Sequence, residues 1–329
     1  KTEMAMLETK GVIASKYEIL SLLGEGAMGE VYAAHQLHLD RPVALKILKP
    51  DFAQSDEERD RFFREAKTCA SLDHPNIIPI FDVFEDEGFL CIAMKLVQGS
   101  SFREVLNERP PWRNSLSLLA PVAKALALAH ERGIVHRDLK PSNILIGREA
   151  YEVGGARSAL DARGARGSLG ARGALGARGA RGALGARGES SNHECPESSV
   201  YVTDWGISKS ISDSSGITRT GVIVGTPEYM APERILRAQS LPESDLYSLG
   251  CIIYEVFNGH PPFRGELSKV LDSHLREKAK LHGIDSQEIR ILLEGLLEKD
   301  PQKRRIDSLE IVETLERVHS LEESCEQRE

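Results

Sequence analysis

Eight residues near the middle of the chain concentrate more chemistry than any other stretch: His136-Arg137-Asp138-Leu139-Lys140-Pro141-Ser142-Asn143. The Asp138 carboxylate can take a proton from an attacking hydroxyl. The Asn143 amide oxygen can ligate a hard cation such as Mg²⁺. Lys140 can neutralise a phosphoryl group in transfer. An apolar run, Ile144-Leu145-Ile146, follows and has the length of a buried strand. Pro141 excludes a helix, so the polar groups belong to a loop that the strand holds in place.

Two further stretches supply groups of the same kind. Gly24-Glu25-Gly26-Ala27-Met28-Gly29-Glu30-Val31 carries a GxGxxG spacing. Val31 to Ala34 continues as a strand, and Val43-Ala44-Leu45-Lys46 follows as another. A glycine turn between strands lets backbone amides close over phosphates. A dinucleotide fold would need a helix opening at the glycines. Lys46 needs a carboxylate, and the next element offers one. Ser55-Asp56-Glu57-Glu58 is a capping box that starts a helix. Its apolar face is Phe62, Ala66, Cys69 and Leu72, and Glu65 lies on that face. A carboxylate in a buried stripe is costly unless paired, so Lys46 is its expected partner.

The rest of the chain has to position these groups. Residues 1–16 read as a tail. Residues 77–97 read as strands around an acidic turn, Glu85-Asp86-Glu87-Gly88. Gly99-Ser100-Ser101 breaks the chain and is a candidate hinge. Residues 117–132 form an apolar helix with Pro121 at a kink or in the first turn. Val200 to Thr203 is a strand that delivers Asp204-Trp205-Gly206. Residues 207–224 are rich in Ser, Thr and Gly. A buried helix spans 241–258, with Ser240 and Glu243 as its expected capping box. A last helix runs from about Ile306 to His319 with Asp307 as its cap.

Residues 148–199 differ in kind. From Gly164 to Gly188 a glycine falls at every third position. One chain cannot build a collagen triple helix, so the segment reads as a low-complexity insert. Residues 154–188 hold seven Arg against one Asp, a net +6, which leaves −14 for the rest of a chain whose formal charge is −8.

The full 329 residues suffice for two lobes with sizeable cores. The acidic balance gives no reason to expect nucleic acid as a partner. Five cysteines are scattered and odd in number, which suits a reduced compartment better than a disulfide framework. No apolar run has the length of a membrane span, and no signal peptide is evident. The chain opens on Lys1 rather than Met, the pattern of a segment of something longer. The expected location is the cytoplasm, as a whole protein or as the cytoplasmic domain of a larger one.

With the pieces in this order, residues 17–319 closely resemble a bacterial Hanks-type serine/threonine protein kinase domain. The resemblance implies a two-lobed α+β fold. The N-lobe (17–94) is a small, mainly antiparallel sheet with one key helix. A hinge (95–99) leads to a larger, mainly α C-lobe (100–319) carrying the insert, and 320–329 form a tail. Leu23 to Val31 would cover the phosphates of ATP. Lys46, paired with Glu65, would hold the α- and β-phosphates. Val31, Ala44 and Leu145 would sandwich the adenine, with Met94 as gatekeeper and Val97 at the hinge. Asp138 would be the base, Lys140 would contact the γ-phosphate, and Asn143 and Asp204 would carry Mg²⁺, or Mn²⁺ in its place. Arg304 would pair with Glu233, and Asp245 would anchor the catalytic loop. His136, Arg137, Gly206 and Thr226 would be structural. Thr218 and Thr220 would be activating phosphosites.

Lys140 and Thr226 follow the Ser/Thr rather than the Tyr pattern, so the implied partners are proteins bearing Ser and Thr. A second kinase domain would be a partner for trans-autophosphorylation. Two positions depart from the family. Trp205 stands where Phe is usual, and Lys95 where a hinge glutamate is common. The alternative reading is a pseudokinase scaffold that binds nucleotide without transfer, yet Lys46, Glu65, Asp138, Asn143 and Asp204 are all present.

Overall fold

The computed structural model describes residues 11–26, 29–50, 55–148, 199–206, 226–237, 239–304 and 307–326, the last six of these by backbone only. Ala27, Met28, Thr218, Thr220 and nearly all of the insert lie outside the described residues.

Six antiparallel strands form the first sheet. They are β1 (Val12–Ile13), β2 (Tyr17–Glu25), β3 (Gly29–Gln36), β4 (Arg41–Leu48), β5 (Ile80–Asp86) and β6 (Phe89–Lys95), in the order β1-β2-β3-β4-β6-β5. β4 lies between β3 and β6, which is why its sequence is apolar without alternation. Val43, Leu45 and Ile47 pack in a small core with Tyr17, Tyr32, Cys91 and Ala93. Ala44 and Leu48 belong instead to the large core shared with the helical lobe. Successive strand residues point to opposite faces, so Lys46 falls in the row of Ala44 and Leu48. That placement holds an amine only 9% exposed at the junction of the lobes.

β1 corrects the expected tail. Val12 and Ile13 pair with Glu18 and Tyr17, and Ile13 is buried. A two-residue strand is too short to leave a periodic signal. The acidic turn behaves as expected, with Glu87 and Gly88 both at positive φ between β5 and β6.

Helix α1 (Asp56–Ala70) starts at the expected box: Glu58 N donates to Ser55 Oγ, and Ser55 N donates to Glu58 Oε2. Phe62, Ala66 and Cys69 are its buried face.

Gly99 to Ser101 is not the break expected there. It is strand β7, in a three-stranded sheet with β8 (Ile144–Gly147) and β9 (Val200–Val202), in the order β7-β8-β9. A Cβ on Gly99 would stand 1.9 Å from the Ile146 carbonyl oxygen, so the glycine is there for close strand approach. The unpaired connection between the two sheets is 96–98.

The helical lobe contains α2 (Phe102–Asn107), α3 (Trp112–Ser117), α4 (Leu119–Glu131), α5 (Pro232–Arg237), α6 (Pro242–Asn258), α7 (Leu267–Arg276), α8 (Gln287–Leu296) and α9 (Ser308–Glu326). Pro121 sits in the first turn of α4, where its missing N–H costs nothing. The expected Ser240 cap of α6 is not made. Pro242 takes the first helical position, and Leu241 N donates to Ser244 Oγ instead. α9 runs to Glu326, beyond the expected end at His319. Asp307 does cap it, accepting from Leu309 N.

The two strands flanking the insert pair directly: Ile144, Leu145 and Ile146 face Val202, Tyr201 and Val200. Closure entropy grows only logarithmically, so a tenfold longer connection costs roughly 2 kcal/mol. Replacing 149–198 with a Gly-Asn turn is therefore expected to leave the fold intact and raise its stability by up to about 2 kcal/mol in urea unfolding. A folded deletion variant that loses autophosphorylation would show that the insert takes part in the lobe's function.

Candidate active site

Asp245, in the first turn of α6, is the buried anchor of the His136–Asn143 loop. Its carboxylate accepts from His130 Nε2 at 2.8 Å, His136 N at 2.7 Å and Arg137 N at 3.0 Å. Burial alone would push its pKa up. The His130 contact and the other donors outweigh that and hold it below the usual carboxylate range. Arg137 adopts φ 68°, a left-handed conformation unfavourable for a long side chain. The backbone hydrogen bonds from His136 N and Arg137 N to Asp245 hold the chain at the start of that torsion.

His136 is fully buried. Its Nε2 bonds the Thr203 carbonyl at 2.9 Å, and its Nδ1 accepts from Asp138 N at 3.2 Å. That pair of contacts fixes the neutral tautomer with the proton on Nε2. Burial lowers its pKa, in keeping with a neutral ring. The loop is thus tied to the strand leading to Asp204, and Gly206 N donates back to the His136 carbonyl at 3.1 Å.

Within the loop, Lys140 Nζ stands 3.0 Å from Asp138 Oδ2. Asn143 Nδ2 donates to the Asp138 carbonyl at 2.8 Å, which commits the amide nitrogen and leaves the oxygen for a cation. Thr203 N donates to the Asn143 carbonyl at 2.9 Å, so Asn143 and Asp204 are brought close through backbone pairing. Asp204, like Arg137, has a positive φ, 62°. One carboxylate and one amide oxygen are the sparse donor set suited to Mg²⁺, which keeps waters and phosphate oxygens for its other positions.

Lys46 does not pair with Glu65. Its Nζ lies 2.7 Å from Asp204 Oδ1, while Glu65 Oε2 lies 3.7 Å from Arg137 Nη1. The reason is competition: Asp204 presents a closer carboxylate to the amine, and α1 finds a cation in the loop. Sequence spacing identified all four charges but not this exchange of partners.

The glycine turn is a hairpin in which Gly24 faces Val31, and Gly26 N bonds the Gly29 carbonyl at 2.8 Å. A Cβ on Gly29 would stand 2.1 Å from the Ile47 carbonyl oxygen, so any side chain there would push the hairpin off β4. Leu23 is exposed, and Glu25 and Glu30 pair across the hairpin. Ala44 faces Met94 across β4 and β6, and Leu145 faces Tyr201 across β8 and β9. Val31, Val97 and Leu145 are partly buried against the shared core.

Glu233 and Arg304 form two parallel hydrogen bonds of 2.7 Å each, fully buried. Arg304 also donates to the carbonyls of Glu243, Glu298 and Lys299, and Ser244 Oγ to Glu233. Burial opposes the Glu233 charge, yet these bonds hold its pKa below the ordinary value. Thr226 precedes the turn Pro227–Tyr229 that leads into α5.

A family model described as protein tyrosine and serine/threonine kinase matches residues 17–315. This chain belongs to the bacterial Hanks-type protein kinase family. The kinase domain is 32% identical over 327 residues to serine/threonine-protein kinase PknB of Mycobacterium tuberculosis, covering 95% of this chain and 44% of that protein. A probable serine/threonine-protein kinase of Clostridium perfringens is 32% identical over 93% of this chain and 39% of its own length. The chain thus spans less than half of these relatives. The crystal structure of the M. tuberculosis PknI kinase domain superposes with a TM-score of 0.62 at 25% identity, covering 93% of this chain and 98% of that one. The family uses ATP with a divalent cation and acts on proteins. Among the described residues no helix is long and apolar enough to cross a membrane.

Two site residues escaped the sequence reading. His130 is a partner of Asp245, but on an apolar helix it carries no motif. Cys69 donates weakly to the Trp205 carbonyl at 3.8 Å, and burial pushes its thiol up to about 12. Trp205 itself is 2% exposed and packs against His136 with the rings tilted at 49° and their centroids 4.9 Å apart. Its indole N–H donates to the Val202 carbonyl at 3.2 Å. That carbonyl also accepts from Ile78 N at 3.0 Å. Trp205→Phe therefore orphans no buried acceptor. The variant is expected to keep its activity and to lose roughly 1–2 kcal/mol of stability to the smaller ring. Parallel phosphotransfer and urea-unfolding measurements check this; lost activity in a stable variant would show that the indole has a direct role.

Proposed function

We propose that this domain transfers the γ-phosphoryl group of ATP to Ser and Thr hydroxyls of proteins, in the cytoplasm. The observation that supports it most is the cluster of Asp138, Lys140 and Asn143 joined by two hydrogen-bonded contacts beside the Lys46–Asp204 pair. In this reading Asp138 orients the acceptor hydroxyl and takes its proton as the new O–P bond forms and the bond to ADP breaks. Lys140 is near enough to Asp138 to meet the transferring group. Asn143 and Asp204 hold Mg²⁺, or Mn²⁺ in its place. A divalent cation bound there neutralises charge on the phosphate oxygens.

Lys46 and Asp204 neutralise each other across 2.7 Å. With nucleotide and its cation bound, Lys46 would hold a phosphate and Asp204 the cation, each in place of the other. Glu65, then released from Arg137, can turn to Lys46. The hairpin Leu23–Val31 closes over the phosphates, and Val31, Ala44, Met94, Val97 and Leu145 enclose the adenine.

Asp138→Asn is expected to lower the rate of radiolabelled-ATP autophosphorylation by roughly 10²–10⁴-fold, the usual contribution of a positioned base. Circular dichroism is expected to be unchanged. Equal, measurable rates in parent and variant would remove Asp138 from the mechanism, whereas a parent that binds nucleotide and transfers no phosphate would favour the scaffold reading.

Activation is read as phosphorylation of Thr218 and Thr220, supplied in trans by a second copy. Arg137 supports this, because its buried Nε has no hydrogen-bond partner and its ion pair with Glu65 is long, at 3.7 Å. A phosphate is a strong acceptor for such a guanidinium. Mass spectrometry of active protein is expected to find phosphate on one or both threonines. A Thr218→Ala, Thr220→Ala double variant is expected to phosphorylate a test substrate more slowly, and parent-like rates would reject these sites.

A further inference from the structure

Lys95 is the last residue of β6, and the chain leaves the first sheet directly after it. Its side chain does not turn to solvent. Nζ donates to the Tyr201 hydroxyl at 2.5 Å and lies 4.3 Å from the centre of the same ring. Tyr201 is the middle residue of β9 and is 8% exposed. The contact is a hydrogen bond from the lysine side chain to the phenol oxygen, with a cation–π contribution.

A second contact repeats the pattern. Thr203 Oγ1 donates to Met94 Sδ at 3.8 Å. Residues two apart on a strand share a face. Tyr201 and Thr203 therefore present one face of the Asp204-bearing segment to two consecutive residues at the end of β6. The segment's backbone is held separately: Ile78 N donates to the Val202 carbonyl, and Val202 N to the Asn76 carbonyl. Those bonds fix β9 along its length. The Lys95–Tyr201 bond fixes it against the end of β6, beside its pairing with Leu145 of β8.

We propose that Lys95 is a positioning residue. It ties the connection between the lobes to β9, and so sets where Asp204 stands when nucleotide and cation are bound. This rests on the reading of Asp204 as a cation ligand. Asp204 follows Tyr201 by three residues and has a left-handed backbone, so a shift of β9 reaches its carboxylate with little to absorb it.

The test is calorimetric binding of a non-hydrolysable ATP analogue to this chain, once with Mg²⁺ and once in EDTA. The variants are Lys95→Met, which keeps the stem and loses the donor, Lys95→Arg, which restores a cation, and Tyr201→Phe, which removes one oxygen. The Lys95→Met, Tyr201→Phe double variant completes a cycle. Lys95→Met and Tyr201→Phe are each expected to weaken Mg²⁺-dependent binding by about tenfold, the order of a lost charge-assisted hydrogen bond. Binding in EDTA is expected to be unchanged, the double variant no weaker than either single one, and Lys95→Arg closer to the parent. Parent-like binding by Lys95→Met, additive losses, or equal losses with and without Mg²⁺ would each overturn the proposal. An Asp204→Asn control separates the two layers: if it retains Mg²⁺-dependent binding, the cation-ligand reading fails and the proposal with it.

Discussion

The His136–Asn143 loop hangs from one buried carboxylate. Asp245 accepts two consecutive backbone amides, those of His136 and Arg137, and the imidazole of His130. An ionised carboxylate inside a protein is costly unless its lone pairs are filled. Here three donors fill them, and two of the donors are the loop's own amides. Loop geometry and carboxylate burial are therefore mutually dependent. The left-handed turn at Arg137 places Asp138 N on the His136 ring, and that ring reaches Thr203. The constraint passes from α6 through the loop to the strand bearing Asp204 without a flexible link.

Around that rigid frame the charges are arranged for exchange. Lys46 is bonded to Asp204, and Glu65 stands by Arg137. The Lys46–Asp204 pair is close at 2.7 Å, while the Arg137–Glu65 contact is long at 3.7 Å. The two pairings share the same four side chains, so moving from one to the other needs a shift of α1 and new partners rather than new residues.

Much of this was legible in the sequence because the relevant signals are local. The His136–Asn143 loop, the glycine hairpin and the Ser55–Glu58 box each declare themselves within eight residues. The strands β8 and β9 were legible too, as two short apolar runs flanking a segment unsuited to a core. What escaped notice was decided by distance in space. Lys46 and Asp204 are far apart in the chain, and nothing in either neighbourhood says that they outcompete Glu65 for each other. Val12–Ile13 is too short for periodicity, and Gly99 looked like a break because its role, close contact with Ile146, belongs to another strand. The Ser240 cap failed because Pro242, two residues on, dictates the start of α6.

The Glu233–Arg304 pair carries a consequence for how such a sequence can drift. The two residues face each other as a matched fork, both buried, with every nitrogen of the guanidinium bonded. A lysine offers no second prong, and an aspartate falls short by a methylene. Loss of either partner alone strands a charge away from water, which typically costs about 3–5 kcal/mol. A stability of roughly 5–15 kcal/mol leaves little room for that intermediate. Two codons far apart in the gene are thereby bound to a shared fate: any lineage that abandons the pair must change both together, or first accumulate enough surplus stability elsewhere to survive the step between.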